Sequence, residues 1–267
     1  CVVSTELSRI QKTIAYIEEN FAREITSGEI EDITCYSYRN FQRVFMKLFG
    51  ETLSGFQKRL RLENAYKKLL YTTEKISSIA LEVGYYNLQS FSKAFHKQYG
   101  IPPAEARKNK TEIFSSFFEK DDLSLDYEIV YKKSTEVYVK GIKSRNYNTE
   151  EINILWEEIE KETDFESAYG IVTDQPLITS EEYCRYDAAI EEQPQTEGYQ
   201  KKTIFGRKYV RFAHKGSFDN LLDAYGMFYR FWLADNPFKL DNSPVIEEYL
   251  LSESGEYTTY IYFPLHI

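Results

Sequence analysis

A helical pattern occurs twice in this chain, 50 residues apart, and few folds accommodate such a repeat. The segment SYRNFQRVFMKLFG spans residues 37–50, and NLQSFSKAFHKQYG spans residues 87–100. Each copy begins with a helix-capping side chain, carries its phenylalanines four residues apart on one helical face, and ends in glycine. The matched pairs are Phe41 and Phe91, Phe45 and Phe95, Lys47 and Lys97, and Gly50 and Gly100. The repeat predicts a duplicated helical unit.

Further helical patterns surround the two copies. Apolar residues at helical spacing predict a first helix from Ser4 to Asn20, and the amphipathic stretch from Ser54 to Leu70 predicts a connecting helix about 25 Å long. Short helices are predicted at residues 28–33 and 76–83, each before a turn and one of the repeated helices. We therefore expect an all-α N-terminal domain of two helix-turn-helix units joined by a long helix.

The helix face opposite the phenylalanines is rich in hydrogen-bond donors in both copies. It comprises Arg39, Gln42, Arg43 and Met46 in the first copy, and Gln89, Ser92, Lys93 and His96 in the second. Arg and Lys pair with guanine edges and Gln with adenine in a major groove, which recurs about every 34 Å along one side of a duplex. A solvated surface is the alternative for either helix alone. The repeated geometry favours recognition of double-stranded DNA.

The distribution of charge supports a polyanion partner for the first part of the chain. Residues 1–110 hold 17 Lys and Arg against 12 Asp and Glu, whereas residues 111–267 hold 16 against 30. A basic part joined to an acidic part is typical of a nucleic-acid-binding module fused to a domain of another kind. The side chains that we expect to contact phosphate are Lys47, Arg59, Arg61 and Lys97.

The first part of the chain resembles the paired helix-turn-helix domain of the AraC/XylS transcription regulators over about residues 5–108. The resemblance depends most on the second unit, through Ile79, Ala80, Gly84, Tyr85, Phe91, Phe95, Gly100 and Pro103. It implies recognition helices whose base-facing residues are Arg39, Asn40, Gln42, Arg43, Leu88, Gln89, Ser92 and Lys93. One departure lies in the first unit, where we expect Gly28 to interrupt a helix at about 1 kcal/mol relative to Ala, and where Thr34 takes the place of Gly84.

The second part of the chain follows a different pattern. Residues 109–126 show no sustained period and are interpreted as a linker before a domain at residues 127–267. Six Val-, Ile-, Tyr- and Phe-rich strand patterns follow, interrupted by helical patterns at Thr149 to Glu162 and Phe218 to Leu233. The order strand, helix, strand, strand occurs twice. We therefore expect an α+β domain of duplicated β-α-β-β units around a pocket.

This second part resembles the gyrase-inhibitor-like effector-binding domain, through CRYDAAI, PVIEEYL and YIYFPL. The resemblance implies an aromatic pocket in which a carboxylate meets a cationic or lipophilic small molecule. Glu247 takes the position of that carboxylate, and the expected walls are Tyr147, Trp156, Tyr183, Trp232 and Tyr249. Two alternatives stay open: these aromatics are ordinary core residues, or a register shift of one residue turns Glu248 inward instead of Glu247.

Catalytic and metal sites are not indicated. The three cysteines, Cys1, Cys35 and Cys184, lie far apart, and the three histidines form no HExxH motif; GxSxG and glycine-rich phosphate loops are absent from the sequence. We expect no metal, no cofactor and no enzyme activity. Two alternatives concern the acidic domain: it binds a protein partner, or its Glu and Tyr residues hydrolyse a small molecule.

The sequence thus predicts a transcription regulator that binds DNA and senses a small molecule. The start of the chain shows neither a basic leader nor an apolar signal core, and no apolar run reaches about 18 residues, so we expect a cytoplasmic protein without a membrane span. Residue 1 is Cys rather than Met, and we expect the native start to be missing. Two recognition helices in one chain allow a monomer to occupy a whole site. A contact with RNA polymerase is one route by which the effector could act.

Overall fold

The computed structural model divides the chain into two compact units, Cys1–Lys108 and Asn109–Ile267. The residues that it describes are 2–113, 125–235, 238–251 and 256–266. Residues 114–124, most of the predicted linker, therefore lie outside the described residues. The predicted linker begins with a short helix at Lys110–Ile113.

The first unit is all α, as the sequence predicts. Its helices are α1 (Val2–Asn20), α2 (Ser27–Thr34), α3 (Tyr38–Phe49), α4 (Leu53–Tyr71), α5 (Ile76–Glu82), α6 (Leu88–Tyr99) and α7 (Pro103–Lys108). The short helix α8 (Lys110–Ile113) belongs to the second unit. Helix α4 contacts α1 and α3, which precede it in the chain, and α5, α6 and α7, which follow it. The prediction of two helix-turn-helix units joined by a long helix is confirmed.

The duplication is visible in the ends of the two repeated helices. Ser37 caps α3 and Asn87 caps α6, each accepting a hydrogen bond from a backbone N–H in the first turn. Gly50 and Gly100 end these helices in the left-handed conformation, with φ of +69° and +76°, which glycine adopts without strain.

The apolar faces repeat as closely as the ends do. The ring centroids of Phe41 and Phe45 are 5.7 Å apart, and those of Phe91 and Phe95 are 5.6 Å apart. All four side chains are fully buried. Each pair packs onto an aromatic residue of α4, where Phe56 meets Phe45 and Tyr66 meets Phe95. Because both copies bury the same stripe, their opposite stripes face outward alike.

The expectation that Gly28 interrupts a helix is wrong. Helix α2 begins at Ser27, so Gly28 lies in its first turn, where the backbone N–H groups have no partner within the helix. Thr26 and Glu29 form a capping box that starts the helix immediately before this glycine. The turn after α2 is made by Cys35, which takes the left-handed conformation at φ +56°.

The second unit is one antiparallel sheet with two long helices. Its elements are β1 (Tyr127–Lys132), β2 (Thr135–Lys143), α9 (Thr149–Glu162), β3 (Tyr169–Val172), β4 (Arg185–Ile190), β5 (Gln200–Ile204), β6 (Arg207–Lys215), α10 (Leu221–Asp235), β7 (Val245–Leu251) and β8 (Tyr257–Pro264). The strand order is β1-β6-β8-β7-β3-β4-β2-β5. The unit β2-α9-β3-β4 is thus repeated as β6-α10-β7-β8, and the two copies meet where β3 pairs with β7. The predicted α+β duplication is confirmed.

The sequence patterns missed β1 and β5, the two outer strands of the sheet. Their sequences, YEIVYK and QKKTI, carry charged residues and lack clear alternation, as is common for strands with a free edge. Helix α9 packs on β2 and β4 through Leu155 and Ile159. It covers the face of the sheet to which Tyr186 and Ala188 of β4 point.

Candidate functional site

The outward stripe of α3 contains most of the first predicted base-facing set. Arg39, Gln42 and Arg43 are exposed, and so is Lys47 in the last turn. Asn40 is half-buried, and its side-chain oxygen accepts a hydrogen bond of 2.9 Å from Nη2 of Arg43. This contact steadies the guanidinium on the outer surface of the helix, where its other N–H groups face away from Asn40.

The outward stripe of α6 is less charged than that of α3. Gln89, Lys93 and Lys97 are exposed, Ser92 is half-buried, and Leu88 is 43% exposed. A leucine at the start of this stripe offers an apolar contact of the kind that reads thymine methyl groups. The two recognition stripes therefore share their placement but differ in the chemistry that they offer.

The structure also presents a residue that the sequence analysis missed. Tyr86 precedes the capping residue of α6 and is 93% exposed. The equivalent residue of the first unit, Tyr36, is half-buried and packs against that unit's core. Exposure at this position cannot be read from a local pattern, because both tyrosines occupy the same place in the repeat.

The prediction that Arg59 contacts phosphate is wrong. Arg59 is only 7% exposed, and its guanidinium forms ion pairs with Glu51 at 2.7 Å and Glu63 at 3.1 Å. Helices of both helix-turn-helix units contact α4, so a charged residue on this helix can be buried, as Arg59 is, or exposed, as Lys58 is. Arg59 holds α4 and the turn before it together.

Arg61, also predicted to contact phosphate, is half-buried and binds backbone carbonyls. Its Nε donates to the carbonyl of Phe21 at 2.7 Å, its Nη2 to that of Arg23 at 3.0 Å, and its Nη1 to that of Gly84 at 3.2 Å. All three donor nitrogens are thus turned toward the protein backbone. Of the four predicted phosphate contacts, Lys47 and Lys97 are the ones with exposed side chains.

In the second unit, β7 separates its two adjacent glutamates onto opposite faces of the sheet. Glu247 lies on the face covered by α9 and is 5% exposed. Glu248 points to the other face, where it accepts a hydrogen bond from Tyr262 and lies 3.5 Å from Lys132. The register that turns Glu247 inward is therefore the one observed, and Glu248 belongs to an open groove on the far side.

Glu247 is held by tyrosine hydroxyls. Tyr225 of α10 donates to Oε1 at 2.6 Å, and Tyr249 of β7 donates to Oε2. The Tyr249 hydroxyl also lies 2.8 Å from that of Tyr186, which accepts the indole N–H of Trp156 at 3.0 Å. A hydrogen-bonded chain thus runs from the carboxylate on β7 to helix α9.

Burial dominates the electrostatics of this cluster. It raises the pKa of Glu247, while the hydrogen bonds from Tyr225 and Tyr249 and the charge interaction with His214 act in the opposite direction. Burial and the neighbouring Glu247 carboxylate together raise the pKa of Tyr225 and of Tyr249. In the described part of the chain no Lys or Arg forms an ion pair with Glu247. A buried carboxylate without a cationic partner is costly, and a cation that reached it would relieve that cost.

Gly170 makes room for this arrangement. It lies directly opposite Glu247 in the pairing of β3 with β7. A Cβ at residue 170 would overlap the hydroxyl of Tyr249 and lie 2.8 Å from that of Tyr186. The site therefore depends on Gly170, Tyr186 and Tyr225, none of which the sequence analysis assigned to it, because they come from three different elements, β3, β4 and α10.

Two aromatic rings pack against Tyr249, one of the hydrogen-bond donors to Glu247. The ring of Trp156 meets Tyr249 edge-on with centroids 5.8 Å apart, and that of Phe218 does so at 5.4 Å. Aromatic faces attract cations by about 0.5–2 kcal/mol each. Of the predicted wall residues, Tyr249 and Trp156 are thus part of the cluster.

Of the other predicted wall residues, Tyr147 packs in the same hydrophobic cluster as Trp156 and Tyr186, whereas Trp232 and Tyr183 have different surroundings. Trp232 is fully buried and donates its indole N–H to the carbonyl of Phe238, so it is a core residue. Tyr183 lies beside Lys143, whose ammonium is 5.3 Å from its ring. Tyr147 donates to the backbone carbonyl of Asp174 at 2.8 Å. The expectation that Trp232 and Tyr183 line the pocket with Glu247 is therefore not supported by their contacts.

The described ranges hold no group of three or more His, Cys, Asp or Glu side chains placed to ligate a metal ion. Among the same residues, no helix combines the length and apolar composition that crossing a membrane requires.

The fold and the sites define a protein in which paired helix-turn-helix units are joined to a duplicated sheet with a buried carboxylate. A model of the GyrI-like small molecule binding domain matches residues 125–266, and one of a helix-turn-helix domain matches residues 30–109. The chain belongs to the GyrI-like family, with an AraC-type helix-turn-helix domain before it. The predicted family resemblances are confirmed.

Curated relatives carry related names. The chain is 34% identical over 150 residues to the uncharacterized HTH-type transcriptional regulator YbfP of Bacillus subtilis, covering 49% of this chain and 51% of YbfP. It is 34% identical over 93 residues to the bifunctional transcriptional activator/DNA repair enzyme AdaA of the same species, covering 35% and 44%. The chain thus spans about half the length of these relatives. The EcmrR C-terminal domain matches 53% of this chain and 98% of its own, at 19% identity and a TM-score of 0.41.

Proposed function

We propose that this chain is a cytoplasmic, sequence-specific DNA-binding transcription regulator whose second domain senses a small aromatic cation. The observation that carries the DNA-binding half is the duplicated outward stripe: Arg39, Gln42 and Arg43 on α3 have counterparts at Gln89, Ser92 and Lys93 on α6. Two such helices held on α4 suit successive segments of a major groove. Lys47 and Lys97 would contact phosphate beside them.

The observation that supports the ligand is Glu247. It is buried, it accepts hydrogen bonds from the hydroxyls of Tyr225 and Tyr249, and among the described residues no Lys or Arg pairs with it, although His214 interacts with its charge. The rings of Trp156 and Phe218 pack edge-on against Tyr249. A cation with a flat apolar body would supply the missing charge and use the aromatic rings. A neutral molecule of the same shape would gain only the apolar contacts.

The coupling between the two activities follows from linkage. A ligand alters transcription only if it binds the DNA-competent state with a different affinity, or if it changes a contact with RNA polymerase. With two recognition helices in one chain, a monomer suffices to occupy a site.

A pair of matched probes and a pair of matched variants test the ligand proposal. N-methylquinolinium and 1-methylnaphthalene differ in charge but hardly in shape. We expect the cation to bind the whole chain at least tenfold more tightly, a difference of about 1.4 kcal/mol. Glu247→Gln should abolish this preference, and Glu248→Gln, on the opposite face of the same strand, should leave it intact. Equal binding of both probes to the native chain would reject a cationic effector.

Selection tests the DNA proposal. The whole chain is used to enrich sites from random-sequence duplexes, and we expect two short recognition sequences about one helical turn apart. Enrichment of no sequence at low salt would reject sequence-specific DNA binding and favour a protein partner or an enzymatic role for the second domain.

A further inference from the structure

The ends of two helices from different helix-turn-helix units meet beside α4. Helix α1, which packs on α2 of the first unit, ends at Asn20, and α5 of the second unit ends at Glu82. The backbones that follow are in direct contact: a Cβ on Gly84, whose φ is +91°, would overlap the carbonyl oxygen of Ala22. Only glycine allows this approach.

Arg61 of α4 forms hydrogen bonds to both of the segments that meet at this junction. It donates to Phe21 and Arg23 after α1, and to Gly84 after α5. Carbonyls at the C-terminal end of a helix carry partial negative charge, which a guanidinium stabilises. Three N–H groups arranged in a rigid fork therefore join three carbonyls that belong to both units.

The neighbouring side chain on α4 reaches only one of the two units. Gln57, one turn before Arg61, donates to the carbonyls of Phe21 at 2.9 Å and Arg23 at 2.6 Å. It holds the segment after α1 and makes no contact with Gly84 among its hydrogen bonds. Of these two α4 side chains, Arg61 is the one that joins the units.

The spacing of the two units determines which DNA they can read together. Recognition helices α3 and α6 belong to different units, so any freedom at the junction becomes freedom in their separation. Inserting one base pair between two recognition sequences moves one of them by about 3.4 Å and rotates it about the duplex axis. A rigid junction rejects such a site, whereas a loose junction accepts it.

We propose that Arg61 is a positioning residue that sets the separation of α3 and α6, and thereby the spacing of the two DNA sequences that the chain recognises. The proposal rests on the DNA-binding function proposed above. In this proposal Arg61 acts through the backbone carbonyls to which Nε, Nη1 and Nη2 donate, and not through a DNA contact of its own.

The test compares affinities over a spacing series. The probes are a duplex enriched by the native whole chain and the same duplex with one or two base pairs inserted between its two recognition sequences. For the native chain we expect a loss of roughly tenfold or more per inserted pair, as for a mismatch. For Arg61→Ala and Arg61→Lys we expect weaker binding at the native spacing and a difference between spacings of less than about threefold.

Arg61→Lys distinguishes positioning from a phosphate contact, because lysine keeps the charge but lacks the fork. If Arg61 acted on phosphate, lysine would restore binding. Lys58→Ala removes an exposed charge from the same helix, and Gln57→Ala removes contacts to the first unit only; both should keep the native spacing preference. Thermal unfolding of each variant separates lost folding from lost spacing.

The spacing preference of the Arg61 variants decides whether Arg61 is a positioning residue. If the Arg61→Lys chain prefers the native spacing as sharply as the unaltered chain does, the proposal is overturned, whatever its thermal stability. If both Arg61 variants lose stability but their folded fractions keep the preference, Arg61 is only a stabilising residue. If the native chain enriches no paired sequences, the proposed DNA-binding function fails first, and this result is distinguishable because it needs no variant.

Discussion

Both domains bury a charged side chain, but they treat it in opposite ways. Arg59 in the helical domain is surrounded by its own counterions, Glu51 and Glu63. Glu247 in the sheet domain is met by the hydroxyls of Tyr225 and Tyr249, which are neutral. The first charge is neutralised by carboxylates of the chain and serves the fold, whereas for the second we propose a cationic partner from outside.

The same contrast separates the arginines of the first domain. Arg61 donates hydrogen bonds to backbone carbonyls of the protein. Arg43 lies exposed on α3 and donates one hydrogen bond to Asn40. Residue type alone does not distinguish a structural cation from one that is available to DNA. What distinguishes them is whether a neighbouring element covers the helix face on which they lie.

The largest effect on stability should follow from removing Arg59, the buried cation that pairs with Glu51 and Glu63. Arg59→Ala leaves Glu51 and Glu63 buried without their cation, and we expect it to lower the free energy of unfolding by about 3–5 kcal/mol. Urea unfolding of the whole chain, followed by circular dichroism, measures this. A loss within about 0.5 kcal/mol would mean that Arg59 is an ordinary surface residue, as the sequence analysis assumed.

Arg43→Ala should leave folding intact and weaken DNA binding. We expect a loss of about 1–3 kcal/mol on an enriched site, with relaxed specificity at one base pair. Competition with random duplexes is the measurement, and Lys93→Ala provides the matched change in the second copy. If affinity for random DNA fell equally, Arg43 would be a phosphate contact rather than a base-reading residue.

Because Glu247 titrates, ligand binding should depend on pH. Burial raises the pKa of Glu247, so the folded chain keeps this proton at pH values where the unfolded chain has lost it. The stability from this group is complete below the ordinary pKa of about 4.3 and is lost as pH rises through the raised value. Cation binding needs the carboxylate, so affinity for N-methylquinolinium should rise over that same window.

Calorimetric titration at several pH values measures this dependence. Glu247→Gln should give a weak affinity that is the same at each pH, and Glu248→Gln should follow the native curve. A native affinity that did not change with pH would show that Glu247 does not meet the cation.

The smallest effect belongs to the exposed lysines. Lys47→Ala and Lys97→Ala should each weaken binding to all sequences alike, and each should reduce the slope of log affinity against log salt by about 1. Titrations at four salt concentrations measure the slope. An unchanged slope in either variant would remove that lysine from the phosphate contacts.

Much of the architecture could be predicted because it follows from local periodicity. The 50-residue repeat located α3 and α6, and alternation together with the family resemblance placed Glu247 on the inner face of its strand. Arg59 was predicted to contact phosphate but is buried, because helices of both units contact α4; Arg61 on the same helix is half-buried.

Contacts between distant elements are what the sequence pattern could not provide. Gly170, Tyr186 and Tyr225 join Glu247 from β3, β4 and α10, and only the pairing of strands and the packing of the helix bring them together. Trp232 was placed in the pocket on aromatic character, yet its indole N–H is satisfied by a backbone carbonyl in the core.

One titration tests the central claim that a DNA-binding domain is coupled to a cation sensor. The whole chain is titrated on an enriched duplex at two salt concentrations, with random competitor DNA, in the presence and absence of N-methylquinolinium. We predict selective binding with a steep salt dependence, and a shift in DNA affinity on adding the cation that is absent in Glu247→Gln. Binding that is equally weak on both DNAs at low salt, or unaffected by a cation that binds the chain, would contradict it.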